Sequence, residues 1–163
     1  ASGAGHPWPA FRHDPDPLRS QTIEVSLDAC TVCHEHRGFL AVGHPWATED
    51  FHTVCPWCIE GGRAHKEYGA KFTADIVPRP GTQPAPEAYA EIQQRTPRFV
   101  GLQGDDWYTC CEDGMAYLGR LFGAGLREAP AAVLEASRKA ESLVSYDSAE
   151  REETSLISPL TRA

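Results

Sequence analysis

From Thr22 to Leu27 the chain alternates polar and apolar residues, the period-two pattern of a strand with one buried face. Gly38-Phe39-Leu40-Ala41-Val42 is a short apolar run that reads as a second strand, broken by Gly43-His44-Pro45. Between Cys58 and Tyr68 the pattern predicts a helix weakened by Gly61 and Gly62. A second helix is expected over 86–95, with Pro86 at its first position and Pro97 closing it. Val77 to Ala85 is rich in proline and reads as a surface loop. A last helix, over Pro130 to Tyr146, sets Val133, Ala136, Ala140, Leu143 and Val144 on one stripe, with Glu135 and Lys139 able to pair outside it. The polar end beyond Ser148 reads as frayed. Ala1 to Arg19, with its prolines and histidines, reads as extended and anchored by Phe11 and Leu18. These elements predict an α+β fold in three parts: an arm (1–20), a core (21–125), and a C-terminal helix with its tail (126–163).

Four cysteines interrupt this pattern in two matched pairs, Cys30-Thr31-Val32-Cys33 and Cys55-Pro56-Trp57-Cys58. Two residues between paired thiolates let one tight turn aim both sulfurs at one point, and the longer insert leaves room for the second turn to come opposite. The spacing predicts a zinc-ribbon-like element holding one structural zinc ion. Four thiolates close a tetrahedral shell and leave no position for water, so the metal is expected to fold the segment from Ala29 to Gly61 and not to turn over substrate. Such a site contributes on the order of 10 kcal/mol, as much as a whole domain's stability. A disulfide framework and a redox CxxC are the rival readings. No basic run leads into an apolar stretch within Ala1 to Ala10, and no segment reaches the roughly 18 apolar residues of a spanning helix. A reducing cytoplasm is therefore expected, and there paired cysteines favour metal.

Zinc ribbons often bind nucleic acid, so the charge matters. The formal charge is -8, from 15 basic and 23 acidic side chains. Between Asp28 and Glu60 five acids (Asp28, Glu35, Glu49, Asp50 and Glu60) face Arg37 alone. That balance disfavours a phosphate-binding ribbon, and neither a membrane nor a nucleic acid is an expected partner. An acidic surface suits a basic protein partner. No internal repeat, Gly-rich phosphate loop, Rossmann fingerprint or nucleophile elbow is present.

A second constellation lies far from the paired cysteines. Trp107-Tyr108-Thr109-Cys110-Cys111-Glu112-Asp113 gathers two thiols and two carboxylates beside aromatics, and with His13 it forms the candidate second site: Cys110, Cys111, Trp107, Asp113 and His13. Either thiol can act as a nucleophile if a histidine such as His34, His36, His52 or His65 folds beside it, but free cysteines are more often core residues. Adjacent cysteines in a strand point to opposite faces, so one at most should address a given site. His34 and His36 read as solvent-facing turn residues, and Trp46, Trp57 and Trp107 as roofs of a metal turn or parts of a small core.

Three blocks carry a resemblance to the CbrC family of bacterial proteins. They are Phe11-Arg12-His13-Asp14-Pro15-Asp16-Pro17-Leu18; Cys55-Pro56-Trp57-Cys58-Ile59-Glu60-Gly61-Gly62, continuing through Ala64 to Phe72-Thr73; and Arg95-Thr96-Pro97-Arg98-Phe99 with Gln103, Trp107 and Cys110 to Asp113. The likeness runs from about Phe11 to Gly119 and leaves out the tail after Gly125. It departs at Cys110-Cys111, where the family places His-Cys. The resemblance implies a role in tolerance to nuclease colicins, hence a binding protein of the immunity kind whose partner is a basic nuclease toxin domain. The reading is of a zinc-binding cytoplasmic protein with no catalytic residues. Its alternatives are a metal-supported enzyme with a pocket near Trp107 and Cys111, and a nucleic-acid-binding ribbon.

Overall fold

The computed structural model describes residues 7–48, 51–101, 105–122, 131 and 153–159. Ile23–Val25 forms β1 and Phe39–Ala41 forms β2, an antiparallel ribbon with Ile23 opposite Ala41 and Val25 opposite Phe39. The buried face expected for the first strand is short: Ile23 is buried, but Val25 is 74% and Leu27 88% exposed. Alternation decides which side chains share a face, whereas burial needs a second layer, and among the described residues none covers this end of a two-stranded ribbon.

The helix expected from Cys58 to Tyr68 is two helices, α1 (Pro56–Glu60) and α2 (Arg63–Tyr68), separated by Gly61 and Gly62. Gly62 has a φ of 70°, a left-handed conformation that redirects the chain between them at little cost only without a Cβ. The third helix, α3 (Pro86–Arg95), has the limits the two prolines predict.

Four strands form the second sheet: β3 (Ile76–Pro78), β4 (Trp107–Cys110), β5 (Asp113–Phe122) and β6 (Glu153–Pro159), in the order β3-β4-β5-β6. β3 and β4 are parallel, with α3 in the connection between them, and the other neighbours are antiparallel. Two expectations are corrected here. The loop read over Val77 to Ala85 begins inside a strand, because Pro78 closes the outermost strand, where a missing ladder donor is tolerated. Within the tail, residues 153–159 are not frayed but pair along β5, from Met115 opposite Pro159 to Phe122 opposite Glu153. That pairing joins segments some tens of residues apart, so no local signal marks it. The helix read over Pro130 to Tyr146 lies outside the described residues except for Ala131, which is helical.

Two apolar clusters result. Phe11, Ile23, Val32, Leu40, Phe51, Val54, Ile59 and Phe72 surround the paired cysteines. Ile92, Phe99, Trp107 and Tyr117 fill the space between α3 and the larger sheet, with Phe99 stacked on Tyr117 at 4.5 Å. A main-chain bond from Phe72 N–H to the Gln93 carbonyl (2.8 Å) and a salt bridge from Arg95 to Glu60 (2.8 Å) connect the two regions. Phe11 is buried as expected, but Leu18 is 45% exposed. No helix among the described residues is long and apolar enough to cross a membrane.

Candidate metal centre

The two cysteine turns are built differently. In the first, the Cys30 carbonyl accepts the His34 N–H (2.7 Å), and His34 takes a φ of 59° to close the knuckle. In the second, Cys55 is the N-cap of α1, Pro56 supplies the preset φ of the first helical position, and Cys58 follows within the first turn. Main-chain and hydroxyl bonds hold the turns face to face. Thr31 N–H donates to the Thr53 carbonyl (2.9 Å), and the Thr53 hydroxyl donates to the Ala29 carbonyl (2.9 Å).

The four sulfurs of Cys30, Cys33, Cys55 and Cys58 all lie within 4.8 Å of one another. The Cys33 and Cys55 sulfurs are 3.8 Å apart, which is about the edge of a tetrahedron whose Zn–S arms are about 2.3 Å. Cys30, Cys55 and Cys58 are buried and Cys33 is half-buried. Cys55 N–H donates to the Cys30 sulfur (3.3 Å), the kind of outer contact that orients a thiolate ligand. Four thiols this close cannot all ionise unaided. The Cys30 thiol is held far below its ordinary range by hydrogen bonds from Cys55 and Cys58, while Cys55 is pushed up to about 12, first by its hydrogen bond to Cys30. Cys58 is raised further for the same reason. A soft divalent cation removes that conflict, so the donor set, its spacing and its burial fit a metal ion. Among the described residues no histidine joins the cluster; His34 and His36 are exposed, as the sequence suggests.

The N-terminal arm closes over this centre. Trp57 donates its indole N–H to the Pro7 carbonyl (2.9 Å), and Trp8 meets Phe39 and Trp57 edge-on at 4.9 and 5.6 Å. Arg37 lies 5.3 Å from the Trp57 ring centre and pairs with Glu35 at 2.8 Å.

The structure gathers three of the five residues of the second candidate site. His13, fully buried, sets Nε2 3.1 Å from Asp113 Oδ1, and its ring stands edge-on to Trp107 at 6.5 Å. Arg12 donates to the other Asp113 oxygen. Burial alone would raise the Asp113 carboxyl, but the bonds from His13 and Gly114 N–H and the charge of Arg12 more than offset it, so it titrates below its usual range. Beside this pair lies a buried carboxylate, Asp14. It accepts hydrogen bonds from the Ser20 (2.8 Å) and Thr22 hydroxyls, and is pushed by burial up to about 6. Only the fold places Ser20 and Thr22 around it. His13 Nδ1 and Thr109 Oγ1, both buried, have no hydrogen-bond partner among the described residues.

Cys110 and Cys111 stand apart from the His13 pair. β4 alternates, with Trp107 and Thr109 buried while Tyr108 and Cys110 are half-exposed, and Cys111 is exposed in the hairpin turn. They are surface residues and not the core residues free cysteines usually are. The cleft beside Trp107, lined by Phe99, Asp106, Tyr108, Met115 and Tyr117, has room for about one water molecule and no histidine on its wall.

Fold and site together define a small α+β protein whose first half is organised around a closed cluster of four cysteines. The chain belongs to UPF0167, an uncharacterised protein family, whose pattern matches residues 8–161. That match takes in the tail that the motif resemblance leaves out. The chain is 36% identical over 115 residues to a UPF0167 protein of Pseudomonas aeruginosa, covering 69% of this chain and 64% of that protein. It is 31% identical over 126 residues to a UPF0167 protein of Mycobacterium bovis, covering 77% of this chain and 67% of that one. The chain thus spans less than two thirds of the Pseudomonas protein's length. No solved structure matches it.

Proposed function

We propose that Cys30, Cys33, Cys55 and Cys58 bind one structural zinc ion, and that the platform it folds acts by binding another protein in the bacterial cytoplasm, in the manner of a toxin-tolerance or immunity protein of the CbrC kind. The carrying observation is the closed set of four sulfurs within 4.8 Å, which offers a metal four ligands and no open position for substrate. Zinc suits this donor set because soft thiolates in a tetrahedral frame are its common structural environment. The net charge of -8 supports a basic protein partner over nucleic acid, and such association should weaken as salt rises.

The two halves of this reading separate experimentally. Elemental analysis of protein purified without added metal should give one zinc per chain. Cys58→Ser should lose that zinc and the order of the ribbon, read by proteolysis between Ala29 and Gly61; all six cysteines titrating freely in the native chain, where two are expected, would refute the metal site. For the role, immobilised zinc-loaded protein should retain a basic nuclease toxin domain at low salt and release it at high salt. Failure to retain any such domain, and failure to protect cells producing one, would refute toxin tolerance and leave the zinc assignment standing.

A further inference from the structure

The hairpin joining β4 to β5 has Cys110 opposite Asp113 as its last pair, so Cys111 and Glu112 alone make the turn. Adjacent residues of a continuing strand send their side chains to opposite faces. Here the strand ends between them. Cys111 has a φ of 65°, a conformation two-residue hairpins usually give to glycine or asparagine, and its side chain swings back beside that of Cys110. The two sulfurs are 3.3 Å apart, so the sequence expectation that only one could address a site is overturned. The turn is held on its outer side by the proline-rich segment before α3. Arg79 N–H donates to the Thr109 carbonyl (3.1 Å), Ala85 N–H donates to the Glu112 carbonyl (2.8 Å), and Arg79 Nη1 lies 3.9 Å from the Cys110 sulfur.

We propose that Cys110 and Cys111 form a vicinal dithiol site, separate from the four-cysteine centre, that captures a trivalent arsenical as a two-sulfur chelate. Two sulfurs preset side by side and open to solvent suit a soft, pyramidal centre that needs two neighbouring thiolates and keeps its third substituent outside. Direct disulfide formation fits less well. It would draw the sulfurs to about 2.05 Å over Cα atoms about 3.8 Å apart, closer than a disulfide ordinarily spans. Linear two-coordinate ions would need the sulfurs on opposite sides. In the zinc-loaded chain the four-cysteine centre does not compete, because three of its cysteines are buried and its clustered sulfurs are committed to the ion.

With phenylarsonous acid, the hydrated form of phenylarsine oxide, the reaction balances without a redox partner. Each cysteine sulfur forms a bond to arsenic as one arsenic–oxygen bond breaks. The thiol proton leaves with the hydroxide as water, so two waters are released and arsenic remains trivalent.

The test uses the full chain loaded with zinc. Phenylarsonous acid should add one equivalent by intact mass, with zinc content unchanged. The adduct should survive excess glutathione, a monothiol, and come off with dithiothreitol. Cys110→Ser and Cys111→Ser, both at an exposed turn, should keep zinc and fold, and each should bind the probe roughly 100-fold more weakly because the chelate is lost. The proposal is overturned if both variants bind like the parent, if capture releases zinc, or if glutathione strips the parent as readily as the variants. Because all three chains share the same four-cysteine centre, a failure of zinc loading appears in the metal analysis and leaves the comparison of variants readable.

Discussion

Gly114 is the position where the packing can be tested most directly. A Cβ built on it would lie 2.4 Å from Ile92 Cδ1 and 2.7 and 2.9 Å from His13 Cδ2 and Nε2. Ile92 and His13 are both fully buried, so neither has free space to move into, and the His13 ring is also held by Asp113 at 3.1 Å. Gly114→Ala should therefore cost about 1–3 kcal/mol for overpacking. Displacing the histidine would add about 1 kcal/mol for its bond to Asp113, and the stiffer unfolded chain would return about 0.4–1 kcal/mol. The net expectation is about 2–3 kcal/mol, or about 5–10 °C in Tm for a chain of this size. Thermal and urea unfolding with zinc held in excess would measure it. Ile92→Val removes the nearest offending methyl. Alone it should cost about 1 kcal/mol, but in the Gly114→Ala background it should cost nothing or stabilise. A coupling of about 1 kcal/mol in that cycle is the signature of contact. A Gly114→Ala protein as stable as its parent, or two effects that simply add, would refute the packing described for His13.

Two further outcomes follow from buried charge. Asp14 titrates near 6 in the fold against 3.8 unfolded, so its contribution to stability is full below pH 4 and is lost as the pH rises through 6, a difference of about 3 kcal/mol. Asp14→Asn should remove that slope, so the variant gains on the parent between pH 4 and 7 in urea midpoints; parallel profiles would contradict it. Arg98 Nε stands 2.7 Å from Asp105 Oδ2, a charge contact not aligned as a hydrogen bond, and Asp105 is only 3% exposed. Arg98→Ala strands that carboxylate and should destabilise by about 3 kcal/mol, with a loss under 1 kcal/mol counting against the pairing.

The structure also separates what is chemically similar. The chain has six cysteines, and all are free of disulfides, yet they fall into two environments: a mostly buried group of four and a surface pair at a hairpin tip. The number and spacing of its sulfurs fit the first to a metal ion, and the second stands open to solvent. The contact between His13 and Asp113 couples the arm to the larger sheet, and Tyr117 N–H also donates to the His13 carbonyl at 2.8 Å.

The sequence by itself determined the paired CxxC turns, the α3 limits set by Pro86 and Pro97, and the weak point at Gly61-Gly62, because each depends on residues close together in the chain. It also marked His13, Trp107 and Asp113, although only as members of a motif. What the tertiary structure decided depends on partners distant in sequence. The strand β6 exists because β5 offers it a ladder, and Val25 and Leu27 stay exposed because no layer among the described residues covers them. Asp14 is raised because the closed fold buries it away from water, against the opposing pull of the Ser20 and Thr22 hydroxyls. Cys110 and Cys111 face the same side because a turn, not a strand, lies between them. Spacing along a chain fixes local geometry, whereas burial, charge state and the meeting of side chains are fixed only when the layers close.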